Sequence, residues 1–259
     1  EEEAIWRQMV ERPHGIVLVT GPTGSGKTTT LYSTLKHLAT PDINLCTIED
    51  PIEMVSPEFN QMQVQPAIDL DFAAGVRTLM RQDPDIIMIG EIRDLETAQM
   101  AIQASLTGHL VLSTLHTNDA ISAFTRLIDM GVEPFLVSTP IRAVQAQRLV
   151  RRLCDACARP STPPPAPMLN ALEPLSERVL GDIAANWREP VGCPKCLNTG
   201  YRGRVGIYEM IGVSPELRMM ITSGATTAEM TTQARSEGFR EYMMNYMSAT
   251  PCPACRGKR

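Results

Sequence analysis

The sequence predicts an α/β fold: a mainly parallel sheet covered by helices, followed by a small four-cysteine subdomain and a C-terminal helical segment. Three observations predict it. Short β-branched runs alternate with longer helical patterns from about Gly15 to Val150. A glycine-rich loop, "GPTGSGKT" (21–28), stands between the first of these runs and a helical stretch. Two C-x-x-C pairs flank a proline-rich excursion. The expected divisions are 1–150, 151–203 and 204–259, and at 259 residues with 43% hydrophobic content the chain can fill a real core.

Taken in order, the expected strands are "IVLVT" (16–20), "NLCTI" (44–48), "DIIMIG" (85–90) and "LVLST" (110–114), each ending in polar residues. Ligands of open α/β sheets sit beyond the carboxyl ends of the strands, so these polar ends are where a site is expected. "LETAQMAIQA" (95–104) puts Met100 and Ala104 on one helical face, and 120–130 reads the same way. "ARPSTPPPAP" (158–167) can be neither helix nor central strand, because proline fixes φ and removes a donor, so it reads as an exposed excursion. A last helix begins near "SPELRMMI" (214–221), with Ser214 as its cap and Pro215 at its first position.

Charge and composition exclude some functions. Lys+Arg at 24 against Asp+Glu at 29 gives a net charge of -5, which argues against a nonspecific grip on phosphate backbones, and no direct nucleic-acid partner is expected. The nearest basic patch, Arg142, Arg148, Arg151 and Arg152, has a plainer reading as a solvated helix face. No apolar run approaches the roughly 20 residues that span a bilayer. The opening "EEEAIWRQMV" is the reverse of a basic secretory leader, so a cytoplasmic protein is expected. Four of the seven cysteines fall in two pairs able to face one ion, which suits a reducing compartment.

The loop fits G-x-x-x-x-G-K-[ST] in the strand–loop–helix context that gives this motif its meaning. Gly21, Gly24 and Gly26 let the backbone curl so that successive N–H groups point inward at the β-phosphate, and Pro22, Thr23 and Ser25 complete the expected nucleotide-binding loop. Lys27 supplies a point charge near the β- and γ-phosphates, and Thr28 offers a hydroxyl to Mg²⁺. "DPDIIMIGE" (83–91) ends in Glu91, delivered to the magnesium end of the phosphate chain, and "TIEDPIE" (47–53) delivers Glu49 and Asp50. Two converging carboxylates allow one to hold Mg²⁺ through water and the other to orient or deprotonate the attacking water. Which glutamate is the base stays open, and surface acids at strand ends are the alternative. His116, at the far end of "HLVLSTLH" (109–116), can report the γ-phosphate by a hydrogen bond, whereas His109 reads equally as structural.

"GPTGSGKTTT", "IEDPIE", "RQDPDIIMIGEIRD" and "TGHLVLSTLHTNDA", in this order, resemble the Walker A, aspartate, Walker B and histidine boxes of the secretion ATPases that drive type II secretion and type IV pilus assembly. The match runs from about Arg12 to Leu153 and resumes at "GCPKCLNTGYRGRVGIYE" (192–209). The resemblance implies a RecA-like P-loop NTPase core and ATP hydrolysis. It also implies a homohexamer at the cytoplasmic face of the inner membrane, peripheral to it through a membrane platform protein that the motor moves. Arg77 and Arg81 in "GVRTLMRQDPD" stand where similar proteins place arginines that neutralise phosphate charge, with internal salt bridges as the alternative. DNA-uptake motors use the same boxes, and a nucleotide-gated docking scaffold without turnover is a rival of another class.

Cys154 and Cys157 in "LCDAC" with Cys193 and Cys196 in "GCPKC" match a closed tetrahedral Zn²⁺ site, structural because no coordination position stays open; reduced surface thiols are the alternative. Similar extension and secretion ATPases carry such a module and retraction ATPases generally lack it, which implies extension or secretion. A third pair, Cys252 and Cys255, has no counterpart in the family pattern, and neither has the stretch from about Tyr242 onward. Cys46, inside a predicted strand, reads as a small buried hydrophobe. Similar proteins carry a further domain before the phosphate loop, so a fragment or shortened form is expected.

Overall fold

The computed structural model describes residues 2–161 and 188–236. Cys252, Cys255, the stretch from Tyr242 and most of the proline-rich excursion lie outside the described residues. The described chain divides into two compact units, one of 2–148 with 208–236, the other of 149–161 with 188–207.

In chain order the first unit opens with α1 (Glu2–Val10), β1 (Gly15–Thr20), α2 (Lys27–Leu38), β2 (Leu45–Glu49) and β3 (Asn60–Gln63). It continues through α3 (Phe72–Leu79), β4 (Ile86–Ile89), α4 (Leu95–Leu106), β5 (Leu110–Leu115), α5 (Ser122–Asp129) and α6 (Pro134–Ser138). β6 (Ile141–Leu153) follows, then β7 (Arg159–Pro160), β8 (Arg188–Glu189) and β9 (Tyr201–Gly212), and last the helices Pro215–Ser223 and Thr227–Ser236. The large sheet has the order β3-β2-β4-β5-β1-β6-β9, and every pairing from β3 to β6 is parallel.

Strands buried on both faces explain the apolar runs, since a parallel sheet needs helices on each side. β1 shows the consequence of two-residue alternation. Its Ile16 and Leu18 join one core with Val76 of α3, Ala101 of α4 and Phe124 of α5; Val17 and Val19 join a second core with Leu31 and Leu35 of α2 and Val10 of α1. Each of these residues is at most 3% exposed, and at about 25 cal/mol per Å² of apolar area this burial is the main favourable term of folding. Helix starts are capped where the sequence offers Asp: Asp71 accepts from the Ala74 N–H (2.8 Å) and Asp94 from the Thr97 N–H (2.8 Å).

The four expected strands and the helices over 95–104 and 120–130 are present, with ends shifted by one or two residues. Cys46 is fully buried in β2, and burial raises its thiol pKa. Ser214 caps its helix, accepting from the Leu217 N–H at 3.0 Å with Pro215 at the first helical position. Ser214→Ala is expected to cost about 1 kcal/mol, read as a lower Tm in thermal unfolding.

Two expectations are corrected. Arg142, Arg148, Arg151 and Arg152 do not lie on a helix face: they belong to the strand β6, whose first half is buried against β1. The chain after 204 is not helical at once either, because β9 runs to Gly212. Both strands carry polar and basic residues within an apolar alternation, and only sheet pairing reveals which half of each is covered.

Candidate functional site

The loop after β1 is shaped by tertiary contact as much as by its glycines. Gly21 has φ 146°, and a Cβ there would stand 2.3 Å from the Gln147 carbonyl oxygen, so no side chain fits. Gln147, buried on β6, donates from Nε2 to the Ser25 carbonyl at 2.7 Å, while its Oε1 accepts from Thr30 Oγ1 (2.8 Å) and Gln145 Nε2 (3.1 Å). Gly26, at φ 88°, precedes α2 and caps it with no side chain. The first turn of α2 therefore keeps its amides for a ligand, the arrangement that binds anions at helix N-termini. Lys27 Nζ donates to the carbonyls of Gly21 (2.8 Å) and Pro22 (3.2 Å). Burial lowers the Lys27 pKa, and the charge of Glu91 works against that shift.

Beyond the carboxyl ends of β1, β2, β4 and β5 lies a cleft of about 390 Å³. Thr23, Gly24, Gly26, Lys27 and Thr28 form one wall, and Glu49, Asp50, Glu91, Arg93 and His116 face it. Pro22 is exposed and Ser25 is buried beneath the loop, its Oγ without a hydrogen-bond partner among the described residues; neither lines the cleft.

The two glutamates are held differently. Glu49, 4% exposed, accepts from Tyr32 Oη at 2.6 Å on Oε2, and from Thr47 Oγ1 at 2.7 Å and Gln61 Nε2 at 3.2 Å on Oε1. Its carboxylate is thus surrounded by neutral donors, and burial together with the bond to Glu49 pushes the Tyr32 hydroxyl pKa up. Glu91, at the end of β4, is ion-paired to Arg93 and stands 3.4 Å from His116 Nε2. Arg93 also faces Asp50 at 3.7 Å, and its contact with Glu91 is the main cause of its raised pKa. Arg93 carries no motif of its own in the sequence, and its only local signal is its place two residues past the strand-ending Glu91.

The other predicted residues fall elsewhere. Arg77 pairs with Glu96 at 3.1 Å on an exposed surface, Arg81 is exposed, and neither lines the cleft of its own chain. His109 Nδ1 lies 2.8 Å from the Ala104 carbonyl at the end of α4, away from the cleft. Of the basic residues on β6, Arg148 donates to Asn118, and the Arg151 guanidinium lies 4.0 Å from the Tyr201 ring centroid.

In the second unit the four cysteine sulfurs lie within 4.8 Å of one another. Cys154 and Cys193 Sγ are 3.9 Å apart, Cys157 and Cys196 3.8 Å, and Cys193 and Cys196 3.8 Å. A tetrahedron with metal–sulfur bonds of about 2.3 Å has edges of about 3.8 Å, so the donor set fits Zn²⁺; a disulfide would need about 2.05 Å. Backbone amides point at the sulfurs: Gly192 N–H at Cys157 (3.4 Å), and Cys193 (3.1 Å) and Gly200 (3.3 Å) N–H at Cys196. Burial alone would raise the Cys196 pKa, but the Cys193 and Gly200 amides and the Cys193 and Cys157 thiols outweigh it and bring it down to about 6. Gly200 makes this turn possible, since at φ 76° a Cβ would lie 2.5 Å from Pro190.

Residues 1–250 match the family described as type II/IV secretion system protein. The type IV pilus assembly ATPase TfpB of Acinetobacter baylyi is 54% identical over 239 residues, 91% of this chain and 40% of its own length. The type II secretion system protein HxcR of Pseudomonas aeruginosa is 53% identical over 232 residues, 90% of this chain and 45% of its own. The chain thus spans less than half the length of these curated relatives. Among solved structures, the pilus retraction motor PilT with bound ADP aligns at a TM-score of 0.61 and 27% identity, over 96% of this chain and 65% of that one. By its phosphate loop, its ordered strand-end acids and a match over nearly its whole length, this chain belongs to the type II/IV secretion system protein family.

Proposed function

We propose that this chain binds and hydrolyses ATP as the motor part of a machine for type II secretion or type IV pilus assembly. One observation carries the reading: Lys27 and the uncapped start of α2 share a cleft with a glutamate at the end of a neighbouring strand. The loop 21–26 and Lys27 hold the β- and γ-phosphates, and Thr28 with the acidic wall supplies hard oxygen donors suited to Mg²⁺. When bound, that ion would neutralise phosphate charge. Glu91 is the base we favour, because it faces Lys27 in the cleft with partners, Arg93 and His116, that line the cleft themselves, whereas Glu49 is 4% exposed and bonded to Tyr32, Thr47 and Gln61. Glu49 then orients water, and His116, beside Glu91, contacts the γ-phosphate. Arg77 and Arg81 lie outside their own cleft, so their charge serves a phosphate only when offered to a neighbouring chain, which their exposure permits.

A ring of six chains would bring such neighbours together. It would act in the cytoplasm on an inner-membrane platform protein; no helix among the described residues is long and apolar enough to cross a membrane. Zn²⁺ on Cys154, Cys157, Cys193 and Cys196 would hold the second unit folded. The test is one sample sized with and without nucleotide while phosphate release and bound zinc are measured. Nucleotide-dependent assembly with turnover supports the motor, and ATP binding without phosphate release would leave the docking scaffold instead.

Gln147 offers a further check on the loop. Gln147→Ala leaves the Ser25 carbonyl and the Thr30 hydroxyl without their partner, a loss of roughly 1–3 kcal/mol that, where it falls on the loop's bound shape, weakens nucleotide binding by about fivefold to a hundredfold. Titration with a fluorescent ATP analogue reads it, and unchanged affinity would rule out this support.

A further inference from the structure

The segment 50–56 after β2 brings Asp50, Pro51 and Glu53 to the cleft, yet forms neither helix nor strand. Its backbone is held by side chains from β3, the edge strand of the sheet. Gln61 Oε1 accepts from the Ser56 N–H at 2.8 Å, and Gln61 Nε2 donates to the Met54 carbonyl at 2.9 Å. Two residues on, and so on the same face of the strand, Gln63 Oε1 accepts from the Ile52 N–H at 3.2 Å.

Gln61 Nε2 also lies 2.9 Å from Tyr32 Oη and 3.2 Å from Glu49 Oε1. An amide nitrogen has two hydrogens, here shared among three acceptors. Tyr32 donates its own proton to Glu49 Oε2, so amide, phenol and carboxylate form a directed chain in which each bond polarises the next. Tyr32 stands on α2, one turn beyond Lys27 and Thr28. A single side chain on an edge strand therefore meets the segment behind Asp50, the phosphate-loop helix and the buried glutamate.

The geometry points to Gln61 as a positioning residue that sets the orientation of the Glu49 carboxylate and of the 50–56 segment for ATP hydrolysis. This rests on the hydrolytic reading above. Gln61 does not itself line the cleft and acts through Glu49, which does. None of the bonds that shape the phosphate loop runs through it, so nucleotide affinity should be spared.

The test is steady-state phosphate release, which gives kcat and KM, together with ATP binding, by the full chain carrying Gln61→Met, alone and combined with Glu49→Gln. Alone, Gln61→Met should lower kcat about tenfold with KM and ATP affinity within about twofold, the split expected when a transition-state interaction is lost. In the Glu49→Gln background it should lower kcat by less than about a further twofold, because partners acting through one group are not additive. Tyr32→Phe, which removes one hydroxyl and keeps the ring, should show the same loss and the same non-additivity, and it serves if Gln61→Met does not fold. A wild-type kcat in Gln61→Met, an undiminished loss on top of Glu49→Gln, or ATP affinity falling in step with kcat would each overturn the proposal. The wild-type control separates the two failures: ATP binding without phosphate release there overturns the hydrolytic reading, and this inference with it.

Discussion

Glu91→Gln should lower kcat by about 10²–10⁴-fold, the usual scale for losing a general base, while ATP affinity at neutral pH stays within about twofold. The amide has the shape of the carboxylate and can still meet Arg93 and His116, so the cleft keeps its walls. What it loses is basicity and charge. Phosphate release in the presence of Mg²⁺, paired with binding of a nonhydrolysable analogue, measures both halves. The substitution also carries a pH signature. Lys27 is pushed below its usual pKa by burial, and Glu91 is the group that counteracts this. Without that charge the Lys27 pKa falls further, so the variant should lose nucleotide affinity on the alkaline side at a lower pH than the wild type. Equal turnover in the two proteins would remove Glu91 from the chemistry.

Stripping the four-cysteine centre, by a strong chelator or by Cys193→Ser, should unfold the second unit and leave the nucleotide cleft able to bind. Among the described residues of that unit only Cys154 and Cys196 are buried apolar side chains, so apolar packing does little to hold those segments together around the sulfurs. A structural zinc ion contributes on the order of 10 kcal/mol in small modules, comparable to the whole stability of an ordinary domain, so its loss should be felt as unfolding. The cleft residues all belong to the first unit, which is why binding should survive. Metal analysis, thiol counting and limited proteolysis near Arg159 read the outcome. Undiminished protease resistance in metal-free protein would show that the sulfurs need no ion.

Gln147 and Gln61 mark where sequence reading stops. Both are polar residues inside strands, 145–147 in a run that reads equally well as helix and 60–63 in one with no apolar alternation, and neither carries a motif. Their partners, Ser25 and Thr30 for one and Glu49, Tyr32 and Ser56 for the other, are set by which strands lie side by side. The same is true of Arg93, whose pairing with both Glu91 and Asp50 requires β4 to lie beside β2.

The sequence by itself determined the phosphate loop, the four central strands, the strand-end acids and the paired cysteines. Each of these is written in local spacing: glycines where φ must turn positive, β-branched runs where both faces are covered, two thiols three residues apart. Tertiary structure alone decided that Glu49 is bonded to three neutral donors while Glu91 faces Arg93 and His116, that Arg77 and Arg81 stand outside the cleft, and that 141–153 is a strand. Those outcomes depend on which backbone lies next to which, and hydrogen bonds between residues far apart in the chain leave no periodicity to read.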